Sequence, residues 1–64
     1  MSKDKITNVI DIPGVGAATA EKLQEGGYAD LMSIAVASAS QITELTGVGE
    51  AAARKIIKAA RDAL

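Results

Sequence analysis

Sixty-four residues with a formal net charge of −1 form one small domain with a thin core, because a chain this short buries only about 60% of its unfolded surface. The absence of Cys and His excludes thiol chemistry, Cys/His zinc sites and histidine general bases, and leaves neither disulfide nor metal to support the core. No apolar run approaches the roughly 20 residues that span a bilayer, and no signal-peptide pattern opens the chain, so the expectation is a cytoplasmic protein.

Taken in chain order, the elements are all helical. Residues 5–11 form a first helix with Ile6, Val9 and Ile10 on one side, and Pro13 prevents it from continuing. A second helix runs from Ala17 to Glu25 and stops at Gly26-Gly27. Asp30 is an N-cap for a third helix presenting Leu31, Ile34 and Ala35. Ser38-x-x-Gln41 has the form of a capping box opening a fourth helix that ends near Leu45. The last helix carries Ala53, Ile56, Ile57, Ala60 and Leu64 as an amphipathic stripe. Glu50 and Arg54, acid first and four apart, support its start. The expectation is therefore five helices, arranged as two hairpins and a connector. Tyr28, the only aromatic residue, is expected to anchor that connector to an alanine-rich core.

An internal repeat organises these elements. Ile12-Pro13-Gly14-Val15-Gly16-Ala17-Ala18-Thr19-Ala20-Glu21-Lys22-Leu23 stands over Leu45-Thr46-Gly47-Val48-Gly49-Glu50-Ala51-Ala52-Ala53-Arg54-Lys55-Ile56 at a constant offset of 33 residues. Two copies are too few for a solenoid and suit a pseudo-symmetric pair sharing one core. In each copy the glycines let the chain turn sharply between helices, because Gly takes φ > 0 without steric cost. Val15 and Val48 are expected to tuck inward, while Ala20 and Ala53 keep the paired helices close. The bare glycines let another backbone approach, and the helix after each turn offers unpaired N–H groups and a positive dipole end. A DNA phosphate meets those requirements.

These motifs resemble the helix-hairpin-helix family, whose hairpin pairs bind DNA without sequence preference through backbone amides of the turn. The order of Asp11-Ile12-Pro13-Gly14-Val15-Gly16, Thr19-Ala20-Glu21-Lys22-Leu23, Gly27-Tyr28, Leu31-Met32-Ser33-Ile34-Ala35 and residues 45–57 is similar to the N-terminal domain of the archaeal RadA recombinase family, relatives of bacterial RecA. The resemblance implies an all-α, compact five-helix tandem helix-hairpin-helix domain, a SAM-like bundle spanning residues 1–64. The family's ATPase core needs a Gly-x-x-x-x-Gly-Lys-Ser/Thr loop, which this sequence lacks. The chain is accordingly expected to be an N-terminal domain, not itself an enzyme, that helps a recombinase filament capture DNA. ATP and magnesium would belong to the missing core. Family analogy adds a monovalent cation held by hairpin carbonyls.

The expected DNA contacts are the backbone amides of Gly14, Val15, Gly16 and Ala17 in the first hairpin, and of Gly47, Val48, Gly49 and Glu50 in the second. The Glu50 carboxylate would repel a phosphate there, which makes the first hairpin the better grip. Residues 50–64 carry four basic and two acidic side chains, whereas residues 1–49 carry three and six. Arg54, Lys58 and Arg61 share a face, and Lys22 and Lys55 occupy equivalent places in the repeats. Lys22, Lys55, Arg54 and, farther along, Lys58 complete the expected set. So few contacts imply weak nonspecific binding, about 10⁻⁴ to 10⁻⁶ M or weaker at physiological salt. With one aromatic ring, base stacking on single strands is not expected. The isolated domain is expected to be a monomer, and the alternative function is a protein-interaction module that docks on its parent recombinase or another partner.

Overall fold

The structure is a computed structural model that describes residues 8–64. It contains a 3-10 turn at Val9–Asp11 and then four helices: α1 (Ala17–Glu25), α2 (Leu31–Ala35), α3 (Ala39–Thr46) and α4 (Glu50–Ala63). There is no strand among the described residues. Helix α4 packs against both α2 and α3, and α1 packs against α3.

Among the described residues there are four α-helices, not five, which corrects the expectation for the N-terminal element. Residues 5–7 lie outside the described residues, and Val9–Asp11 form only a single 3-10 turn. Both ends of that turn have a local cause. Asn8 is extended, and its N–H donates to the Asp11 carboxylate at 3.2 Å. Ile12 is extended because Pro13 disfavours the helical region for the residue before it. With three residues per turn, Val9 and Ile10 point about 120° apart. Val9 is buried, and Ile10 is 52% exposed instead of sharing its side.

The remaining boundaries are set by the side chains and turns that cap them. Helix α1 ends in a Schellman motif, with the Tyr28 N–H donating to the Leu23 carbonyl at 2.8 Å and Gly27 to Gln24 at 3.1 Å. Gly27 supplies the left-handed residue, φ +94°. Gly26 serves a different purpose: a Cβ there would overlap the side chain of Leu45, so this glycine lets α1 and α3 close together. Asp30 accepts from the Ser33 N–H at 2.9 Å, and the Ser38 hydroxyl accepts from the Gln41 N–H at 3.3 Å. Gln41 Oε1 in turn accepts from both the Ser38 N–H and the Tyr28 hydroxyl, each at 3.3 Å. Half-buried Tyr28 thus ties the α1–α2 connector to α3.

Among the described residues every buried side chain is apolar, with Ile12, Leu23, Ile34, Ile42 and Ile56 fully buried. Burying a side chain of this size contributes roughly 1.5–3 kcal/mol. Ala35, Ala53 and Ala60 are buried too, and small residues there let α4 approach its neighbours closely. The α4 stripe faces this core as expected, except that Leu64, beyond the last turn, is 64% exposed.

The Asp30 cap carries a pH signature. Hydrogen bonds from Ser33, backbone first and then side chain, hold the Asp30 carboxyl below its ordinary value. A carboxyl depressed in the folded state stabilises the fold above its unfolded pKa of about 3.9 and loses that contribution as pH falls through the folded value. Thermal melts of the native chain between pH 5 and 2 should therefore show a decline that is smaller in Asp30→Asn, which keeps the cap but cannot titrate. Parallel melting curves for the two would refute the assignment.

Candidate nucleic-acid interface

The two glycine turns reach the same shape by different chemistry. In the first, Ile12-Pro13-Gly14-Val15 has the marks of a type II turn: Pro at the second position, Gly14 at φ +93°, and the Val15 N–H donating to the Ile12 carbonyl at 3.0 Å. The second repeat has Thr46 where the first has Pro13. The Thr46 hydroxyl donates to the Ile42 carbonyl at 2.7 Å and accepts from the Val48 N–H at 3.3 Å. Gly47, at φ +83°, donates its N–H to the Thr43 carbonyl at 2.8 Å. A proline ring stiffens one corner and a hydroxyl bridge the other.

Only the first glycine of each pair needs the left-handed region. Gly16 (φ −92°, ψ −179°) and Gly49 (φ −69°, ψ 162°) are extended residues that serve as N-caps of α1 and α4. A Cβ at either meets nothing within 4 Å. Neither supplies a side-chain cap, so the helix N-termini are bare.

The hydrogen bonds sort the eight expected amides into two groups. Those of Val15, Gly47 and Val48 are engaged inside the turns. Those of Gly14, Gly16, Ala17, Gly49 and Glu50 have no acceptor among the described residues, and the same holds for Ala18 and Ala51 one position further on. Ala18 and Ala51 were readable from the rule that a helix leaves its first four N–H groups unpaired. All seven of these residues are exposed, while Val15 is buried and Val48 half-buried, turned inward as expected.

Basic side chains flank both corners. Lys22 lies one turn beyond Ala18, and Lys55 one turn beyond Ala51, about 6 Å along each axis. Both are exposed and have no ion-pair partner among the described residues. Arg54 reaches Glu50 at 3.3 Å, with both side chains well exposed. The Glu50 carboxylate is therefore drawn along α4 toward a cation and is not bonded to the amides at its N-terminus. That partial neutralisation eases the expected conflict with an incoming phosphate. Lys58 pairs with Asp62 at 3.3 Å, and Arg61 Nε donates to the Ala35 carbonyl at 3.3 Å. Lys58 and Arg61 thus stand about two and three turns along α4 from the second corner. No group of three or more acidic, His or Cys side chains that could hold a metal occurs among the described residues.

Comparison with known proteins covers both corners. The family described as the SAM-like helix-hairpin-helix tandem matches residues 6–62. The chain is 53% identical over 55 residues to the DNA repair and recombination protein RadA of Methanococcus voltae, which is 86% of this chain and 17% of that protein. It is 54% identical over 52 residues to the same-named protein of Methanococcus maripaludis, 81% of this chain and 16% of the other. Against that of Methanoculleus marisnigri it is 55% identical over 51 residues, 80% and 16%. The chain therefore spans 16–17% of the length of these curated relatives. This similarity is consistent with the N-terminal domain of archaeal RadA.

Proposed function

This chain belongs to the SAM-like helix-hairpin-helix tandem family, and from that premise we propose that it grips the DNA backbone without reading sequence, as the DNA-capturing part of a longer recombination and repair protein. The observation that carries this reading is the pair of bare helix N-termini, each with open amides beside an unpaired lysine. Phosphate oxygens accept from such N–H groups, and the dipole end favours their charge. Main-chain donors meet the backbone and not the base edges, so they position a duplex without discriminating its sequence. The donors are Gly14, Gly16, Ala17 and Ala18 on one side and Gly49, Glu50 and Ala51 on the other. Val15, Gly47 and Val48 act by holding the corners in shape. Lys22, Lys55 and Arg54 add charge next to them. The relatives' shared name, DNA repair and recombination protein RadA, agrees with this role. Strand exchange and ATP hydrolysis would lie in the remainder of such a protein.

An amide chemical-shift titration with a short duplex of arbitrary sequence tests the proposal. Shifts should gather at residues 14–18 and 49–51 and at Lys22 and Lys55. Each phosphate contact contributes about 0.9 to the slope of log K against log salt. Lys22→Ala combined with Lys55→Ala should therefore reduce that slope by roughly 2 while leaving the fold unchanged. Absence of binding at about 50 mM salt, where such contacts are much stronger than at physiological salt, or shifts that avoid both corners, would reject the reading.

A further inference from the structure

A second surface runs along α4 from Arg54, which it shares with the second glycine corner, toward the helix C-terminus. An open groove of about 500 Å³ runs between α4 and the α2–α3 connector. Its less exposed lining is apolar: Ala37, Ala39 and Ile57. Its exposed lining carries three cations, Arg54, Lys58 and Arg61, against one carboxylate, Asp62. The Arg61 guanidinium is tethered through Nε to the Ala35 carbonyl, which fixes it at the end of α2 and leaves its terminal nitrogens to other acceptors. The next residue, Val36, is 81% exposed, and the one after it, Ala37, lines the groove.

We infer that this groove is a docking site for an extended acidic peptide whose carboxylates alternate with apolar residues. Charge complementarity selects the acid. The chain is −1 overall, yet its cations concentrate on this helix. The carboxylates already present, Glu50 on Arg54 and Asp62 on Lys58, form exposed i,i+4 pairs that hold their partners weakly. An incoming carboxylate can displace them, and at an arginine it can bind in bidentate fashion. Spacing selects the extended form. Arg54 and Lys58 are separated by about 6 Å along α4, close to the roughly 6.6 Å between alternate side chains of a strand. Because successive side chains of a strand point to opposite faces, acids turned to α4 leave the apolar residues between them to meet Ala37, Ala39 and neighbouring Val36 on the opposite wall, a gain that a phosphodiester chain does not offer. A peptide is favoured over a second DNA contact on that ground. Arg54 is shared with the second glycine corner, but Lys58, Arg61 and the apolar lining are not, so the inference does not depend on what the corners bind.

The test uses a fluorescein-labelled peptide, Asp-Leu-Glu-Leu-Asp-Leu-Glu-Leu, and a control in which Asn and Gln replace the acids. At low salt the acidic peptide should shift amides at residues 36–39 and 57–62, and the control should not. Anisotropy should show affinity falling about tenfold in Lys58→Glu, which reverses a central charge without touching the core. Three results overturn the inference: no binding of the acidic peptide up to about 1 mM, equal binding of the control, or shifts confined to other residues. Arbitrary-sequence duplex DNA is titrated in parallel. If the duplex shifts these same groove residues and displaces the peptide, the surface belongs to DNA and the peptide assignment fails. Acidic-peptide shifts in the groove beside duplex shifts at the glycine corners alone support two separate sites.

Discussion

Gly16→Asp is expected to keep or raise the thermal stability of the domain while weakening DNA binding by at least about tenfold. Gly16 is the N-cap of α1, with extended backbone that any residue adopts and open space around its missing Cβ. Asp is among the best residues at that position, and replacing Gly by it changes stability by only a few tenths of a kcal/mol, in the favourable direction. The same carboxylate would accept from the free amides of the first turn and place a negative charge where a phosphate must sit. Charge-assisted hydrogen bonds are worth about 1.5–3 kcal/mol each, and about 1.4 kcal/mol is a factor of ten. Gly49→Asp should behave alike in the second corner. Gly14→Ala should do the opposite to the fold, costing about 1–2 kcal/mol because Gly14 sits at φ +93°. Circular-dichroism melts read beside duplex anisotropy separate the cases. If Gly16→Asp and Gly49→Asp together leave DNA affinity unchanged, the backbone-amide grip is not how this chain meets DNA.

Leu23→Ala should remove a large share of the domain's stability. Leu23 is fully buried, and it occupies in the first repeat the place that Ile56 holds in the second. Truncating such a side chain costs about 2–5 kcal/mol through lost transfer energy and the cavity left behind. At roughly 0.05–0.15 kcal/mol per residue, a chain of 64 residues has only about 3–10 kcal/mol in total. Each kcal/mol lowers Tm by about 4–8 °C at this size, so a drop on the order of 10–40 °C is expected. Ile10→Ala, at a position 52% exposed, should stay within about 0.5 kcal/mol. Denaturant titration of the two variants checks the contrast, and equal losses would mean that the core is not where these side chains place it.

How much of the fold is legible in the residues alone varies by element. The caps at Asp30 and Ser38 are readable because a cap is a contact between residues three apart, and its chemistry is written in four consecutive letters. The α4 stripe is readable for a similar reason, since a period of 3.6 repeated over 14 residues defines the buried face. The N-terminal element departs from its pattern: a stripe across residues 5–11 suggests a helix, but Asn8 and Pro13 leave room for only one tight turn. Gly26 and Gly27 read alike as a stop signal. Gly27 is required by its φ, and Gly26 by the nearness of Leu45, 19 positions away along the chain.

The candidate site divides along the same line. The sequence by itself determined that two glycine corners exist, that each leads into a bare helix start, and that lysines stand in matching places, because all of this is local and repeated. Backbone conformation at each turn, rather than residue type, decided which donors remain open, through bonds between residues two to four apart. The Val48 amide is taken by a threonine hydroxyl, the Gly47 amide by a carbonyl one turn back, and the Val15 amide by the turn itself. Tertiary structure decided that Arg61 is bound to the end of α2 and that a cation-lined groove opens beside it. Hydrogen bonds are short and directional, so whether a donor is free depends on where an acceptor comes to rest in three dimensions, which residue type and spacing leave open.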